Sequence, residues 1–212
     1  MRYLILPIVL FLASCGSPEP TPVAEVKTAS GHLRYQVEER TLQADLLLAD
    51  STQRAPTFMG TPMRPVRELP TRRFRMERLQ ELPPRIRFSI TADDEVANFS
   101  YVVHPVFIDS LPDTLRRSEA SNFPVADRGM EETESLVLFF EPADRSTPKR
   151  ILITGPTQSG TVSLPVSAID DIPAGTYSVY FVKQQLYKDR FKNLRVSIQS
   201  EYFTRSRPLT VE

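Results

Sequence analysis

Short runs of alternating apolar and polar residues, separated by proline and turn residues, constrain this chain more than any other feature. Leu33, Tyr35 and Val37 alternate with Arg34, Gln36 and Glu38. Leu42, Ala44, Leu46 and Leu48 alternate with Gln43, Asp45 and Leu47, and Ile86, Phe88 and Ile90 with Arg85, Arg87 and Ser89. In an extended strand successive side chains point to opposite faces, so a period of two marks strands with one buried face. Further β-type runs are 99–103, 136–140, 151–154, 162–166, 176–182 and 194–198, and the tail Leu209-Thr210-Val211 is placed to close a sheet. The pattern predicts a mainly β chain, an antiparallel sandwich of about nine or ten short strands. The 19 prolines and 7 glycines fit it, since proline is tolerated at strand ends, edges and turns but not in central ladders.

Two stretches interrupt the alternation, and both are expected to be long loops. The first, 51–84, holds Pro56, Pro62, Pro65, Pro70 and Pro83; within it 72–82 suits neither helix nor strand, so both remain open. The second, 105–134, has no convincing strand, and Asp113 is placed to cap a single helical turn over 114–118.

Lys+Arg and Asp+Glu number 26 each, so the net charge is zero and no dominant nucleic-acid signal exists. One cysteine, Cys15, excludes an internal disulfide, and two histidines, His32 and His104, exclude Cys/His zinc sites. Neither histidine belongs to an H-E-x-x-H or H-x-H arrangement, and no G-x-S-x-G, dinucleotide or P-loop spacing occurs. No cofactor, metal or catalytic residue is expected.

The N-terminus is the most specific segment. Met1-Arg2-Tyr3 is a short positive start, and the apolar stretch 3–13 is about half of what crosses a bilayer as a helix. It has the proportions of a secretory leader. Leu12-Ala13-Ser14-Cys15 resembles the bacterial lipobox. The resemblance implies that residues 1–14 are removed and that Cys15 is diacylglycerated and N-acylated, which holds a protein firmly where one acyl chain would not. Gly16 rather than Asp after the cysteine implies, by resemblance to lipoprotein sorting, the outer membrane before the inner. Residues 15–30 read as the lipidated cysteine with a Pro-rich tether, and 31–212 as a single sandwich domain.

Asp171-Ile172-Pro173-Ala174-Gly175-Thr176-Tyr177-Ser178-Val179 resembles the start of strand F in immunoglobulin-like domains. The resemblance implies that Gly175 and Tyr177 mark a tyrosine corner, whose hydroxyl reaches back to upstream backbone. Val179 stands where antibody domains carry their second cysteine, so the disulfide version is excluded. The match implies a fold and no function.

Arg64, Arg67, Arg72, Arg73, Arg75, Arg78, Arg85 and Arg87 face only Glu68, Glu77 and Glu81 over the same stretch. They are the candidate anion-binding or partner face, unless they pair with the acidic stretch 127–144 or are simply solvated. Asp93-Asp94-Glu95 and Asp170-Asp171 read as solvated turn carboxylates, and 154–160 as a hairpin loop rather than a phosphate loop. The late aromatics Tyr177, Tyr180, Phe181, Tyr187, Phe191, Tyr202 and Phe203 read mainly as core, with a sugar-stacking platform as the functional alternative. Asp50-Ser51-Thr52, Asp109-Ser110-Leu111 and Asp113-Thr114-Leu115 resemble a bacterial O-glycosylation motif.

Together these features predict a membrane-anchored cell-envelope lipoprotein that works as a non-catalytic binding or assembly module. Its partners would be membrane lipid through Cys15 and an envelope protein or glycan, with no nucleic acid. A surface glycan-recognition component and an envelope hydrolase are the alternatives.

Overall fold

The computed structural model describes residues 27–48, 54–66, 72–92 and 95–212. Cys15, the leader and Arg67 lie outside the described residues, as does the tether up to residue 26.

The first alternating run pairs with the second. Strand β1 (Lys27–Gln36) meets β2 (Thr41–Leu48) antiparallel, with Leu33 opposite Ala44 and Tyr35 opposite Leu42. That register buries Ala29, Leu33, Tyr35, Leu42, Ala44, Leu46 and Leu48 on one face. The ladder begins at Lys27, so residues 27–30 belong to the sheet and not to the tether. Gly31 lies on the buried face, where a Cβ would come within 2.6 Å of the Ile198 side chain.

These strands sit in a ten-stranded sheet. Its main order is β12 (Lys149–Thr154), β11 (Glu134–Pro142), β14 (Gly175–Phe191), β15 (Leu194–Phe203), β1, β2, β6 (Arg72–Leu79) and β5 (Arg64–Pro65). The tail strand β16 (Arg207–Val211) pairs with the first part of β14, closing that side, and carries β9 (Thr114–Leu115) beyond it. Strand β14 is the spine: residues 177–185 pair with β11, and 182–191 pair with β15.

Two smaller sheets cover the apolar face. One runs β4 (Thr61–Pro62), β3 (Thr57–Phe58), β7 (Ile86–Ala92) and β8 (Glu95–Tyr101); the other pairs β10 (Ser121–Pro124) with β13 (Thr161–Leu164). Aromatic rings join the layers: Tyr101 and Phe99 stack on Tyr187 at 4.7 and 5.8 Å, and Phe123 on Phe181 at 6.1 Å. The chain is a β-sandwich, as its alternation predicts. It has more strands than nine or ten, because β3, β4, β5 and β9 are two residues long and leave no period to read. Two pairings are parallel, β1 with β15 and β16 with β9.

Both expected loops carry structure. Residues 72–79 form a strand, drawn out by eight ladder partners on β2 that outweigh its weak intrinsic pattern. The segment 105–134 buries Val106, Ile108, Leu111, Leu115, Phe123 and Val125. The helical turn expected after Asp113 does not form, because Thr114 and Leu115 pair with Thr210 and Val211. The segment 154–160 is not a hairpin loop, since β12 and β13 lie in different sheets. The short helix α1 (Val166–Asp170) replaces the expected end of the strand at 162–166.

Candidate functional site

The period of two that buries one face of the large sheet presents everything else on the other. On β2 the outward residues are Gln43, Asp45 and Leu47; on β6 they are Arg73, Arg75 and Glu77. Asp45 sits directly opposite Arg75 and is 7% exposed. Its Oδ1 accepts from the Nε of Arg75 at 2.9 Å and of Arg73 at 3.1 Å, and its Oδ2 from Gln43 at 2.7 Å. Burial pushes this carboxyl up, but the bonds from Arg75 and Gln43 and the nearby guanidinium charges hold it below its ordinary value. Two of the candidate arginines thus converge on this carboxylate, and Arg64 lies opposite Arg75 on the next strand.

A second carboxylate organises the middle of the same face. Glu201 on β15 lies opposite Arg34, and its Oε2 is 3.1 Å from both Arg34 Nη2 and His32 Nε2. Gln184 donates to Oε1 at 3.3 Å. The His32 contact is the largest influence on Glu201, and with Arg34 it keeps the carboxyl below its usual range despite burial. The band continues into aromatics. Arg34 lies over the Phe203 ring at 5.1 Å, Phe203 neighbours Tyr180 at 6.5 Å, and Tyr180 stacks on Phe139 at 5.0 Å with planes 9° apart. Burial and then Glu141 push the Tyr180 hydroxyl up to about 12.

The described candidate arginines do not form one face. Arg64, Arg73 and Arg75 lie on the outer large sheet, whereas Arg87 points outward from the small sheet on β7 and Arg85 donates to Ser100 at 3.2 Å. Arg78 donates to Thr61, and Arg72 opens β6 opposite Leu48. The chain passes from the large sheet to the small one between β6 and β7, which separates neighbours that the sequence groups together. Among the described residues none of Arg64, Arg73, Arg75, Arg78, Arg85 and Arg87 pairs with the acidic stretch 127–144. Glu134 instead takes Arg128 at 2.7 Å and Lys183 at 3.0 Å, and Glu141 takes the Tyr180 hydroxyl.

The tyrosine corner is present: Tyr177 donates to the Pro173 carbonyl at 2.7 Å, four residues upstream, and is 5% exposed. Gly175 has a φ of 154°, so its backbone favours glycine there. His104 is not near the band; burial, with Arg128 and Lys183 behind it, lowers the pKa of its imidazole.

Segment 154–160 packs against 125–134 through its backbone rather than forming a nest of free amides. Gly155 N–H donates to Glu134 O, Thr157 N–H to Met130 O, and the Gly160 carbonyl accepts from Val125 and Ala126. A Cβ on Gly160 would stand 1.9 Å from the Ala126 oxygen, so glycine permits this close approach.

Asp170 pairs with Arg117, and Asp93 and Asp94 lie outside the described residues. Among the described residues no three metal-ligating side chains come together. Of the late aromatics, Tyr177, Phe181 and Tyr202 are core, and Tyr187 and Phe191 stack on Phe99. In the O-glycosylation matches Ser110 and Thr114 are exposed while Leu111 and Leu115 are buried; 50–52 lies outside the described residues.

The Asp45 and Glu201 centres are not visible as motifs, because each joins strands distant in sequence. One signal existed: Asp45 is the lone charge inside the apolar run 42–48.

No known protein family matches the chain, and no curated protein does. Among solved structures it is similar to the FN1–FN3 domains of chicken CNTN1, at 11% identity and a TM-score of 0.23. The likeness covers 84% of this chain, which spans 66% of the length of that one. The fold rests on the strand pairing itself.

Proposed function

We propose that this chain is a lipid-anchored component of a bacterial cell envelope, held by acylated Cys15, and that its sandwich is a non-catalytic binding or assembly module. Its contact surface is the outer face of the large sheet. One observation carries the reading: two nearly buried carboxylates, Asp45 and Glu201, hold Arg73, Arg75 and Arg34 in place while those side chains remain 36%, 46% and 42% exposed. A guanidinium has five N–H donors, and each of these spends one or two inward. The rest face solvent in a fixed geometry, suited to carboxylate or phosphate groups on a partner.

The same face argues against a sugar platform. Parallel rings with centroids 5.0 Å apart lie face over face, so Phe139 and Tyr180 use their faces on each other, and Phe203 has Arg34 above it. A stacking platform needs free ring faces. The leader and Gly16 favour the outer membrane as the site of the anchor.

Two measurements test this. Cys15→Ser should move the protein from the envelope pellet to the soluble fraction; sedimentation unchanged in high salt would defeat the anchor. Arg34→Gln with Arg75→Gln should weaken cross-linked capture of envelope partners by roughly tenfold or more, the scale of losing charge-assisted bonds. Capture that is unchanged in this variant would defeat the binding face.

A further inference from the structure

The β14–β15 hairpin lies beside the point where the chain leaves toward its N-terminus. Lys27 donates its backbone N–H to Asn193 O at 2.7 Å, and β1 and β15 run parallel from there, with Lys27 opposite Leu194. Eleven residues, 16–26, separate Cys15 from this point. Fully extended they span about 36 Å at ~3.3 Å per residue, so an anchored chain presents this end of the sandwich to its membrane.

The hairpin is basic. Residues 188–195 carry Lys188, Arg190, Lys192 and Arg195 against one acid, Asp189, and all four basic side chains are exposed. Arg190 and Arg195 stand directly opposite each other across the ladder, an arrangement that like charges disfavour. Neither has an ion-pair partner among the described residues. Asp189 does not relieve them, because it points to the opposite face, where it accepts from the Tyr187 hydroxyl and the Arg190 amide. Lys192 is tied to Glu95 across a groove of about 890 Å³. Phe191, Ala97 and Val96 line that groove, and Val96 is 54% exposed.

Unrelieved guanidiniums on the outer face of the hairpin, with Lys188 on the same face and at the end from which the anchor departs, match the chemistry of an anionic bilayer surface. The geometry points to a membrane-docking site: the hairpin tip seats Arg190, Arg195 and Lys188 on the phosphates of anionic lipid headgroups. This rests on the anchored reading for its orientation, but its chemistry can be measured without the anchor.

The experiment uses the full chain carrying Cys15→Ser, with vesicles of phosphatidylcholine alone or with about 30 mol% phosphatidylglycerol, a surface that attracts basic segments. Binding should be confined to the anionic vesicles and should fall as salt rises from about 0.05 to 0.3 M, where screening shortens below 10 Å. Lys188→Gln, Arg190→Gln and Arg195→Gln together should reduce it more than tenfold with the melting temperature retained. If that variant does not fold, Arg195→Gln alone should lower binding at least threefold. Millimolar inorganic phosphate should compete little; full competition would identify a free-phosphate site and overturn the membrane assignment. Equal binding to both vesicle types, or binding indifferent to the substitutions, would also overturn it. Vesicle binding by a protein whose native form fractionates as soluble would defeat the anchor and leave the docking site standing.

Discussion

Glu134 on β11 and Lys183 on β14 meet at 3.0 Å on the core side of the large sheet, with 0% and 3% of their side chains exposed. Arg128 reaches the same carboxylate oxygen at 2.7 Å, and the Glu131 amide donates to the other at 2.9 Å. These bonds outweigh burial and hold Glu134 below its ordinary pKa; burial lowers that of Lys183, against the pull of Glu134. Removing one partner of such a pair strands the other away from water. Glu134→Ala should therefore cost about 3–5 kcal/mol in denaturant unfolding. Lys183→Met should cost less, because Arg128 remains. Equal costs would show that Arg128 does not share the carboxylate.

The tyrosine corner gives a smaller, sharper test. Tyr177→Phe removes the hydroxyl from Pro173 O and leaves the ring in place against Phe140, 6.1 Å away. The loss should be about 1–2 kcal/mol by calorimetry, the cost of one buried hydrogen bond and its stranded acceptor. A variant as stable as the parent would remove the corner from the list of what holds the fold.

Asp45 should be structural as well as positional. Arg73→Glu with Arg75→Glu sets two new carboxylates beside a nearly buried one, and should lower stability by about 2–3 kcal/mol. Asp45→Asn should be milder, about 1–2 kcal/mol, since the amide oxygen still accepts from the guanidiniums. Neutralising Glu141 and Asp144 should leave the arginine strand untouched, because they do not face it. The order of thermal melting among the three variants checks this.

Acid sensitivity follows from the same carboxylates. Asp45, Glu134 and Glu201 all titrate below their ordinary values in the folded chain. As pH falls, the unfolded chain takes up these protons first, so stability is fully present at neutral pH and declines from about pH 5 downward. Urea unfolding across pH 3–7 should show that slope, and Glu201→Gln should flatten part of it. A profile independent of pH in that range would contradict the three lowered carboxyls.

Much of the fold was legible because alternation is local. Leu33 and Tyr35, or Ile86 and Phe88, announce a buried strand face from two or three neighbours alone, and Gly175 with Tyr177 announces a corner closed within four residues. The segment 72–79 was not legible, since Arg72, Arg73, Arg75 and Arg78 are extended by ladder bonds to β2 rather than by preference. The pair Thr114–Leu115 was hidden for the same reason: its partner is the tail strand nearly a hundred residues later. The candidate face was the least visible part. His32, Arg34, Asp45, Arg75 and Glu201 become neighbours only through register, and register depends on which strands pair.

The sequence by itself determined the β class, the buried face of the alternating strands and the tyrosine corner, all of which depend on residues within about ten positions of one another. The tertiary structure alone decided that β1 lies parallel to β15, that Asp45 gathers Arg73 and Arg75 while Arg87 lies on the other layer, and that a basic hairpin stands where the chain departs toward Cys15. Ladder pairing between distant strands sets each of these, and neither hydrophobic period nor residue type encodes the choice of partner strand.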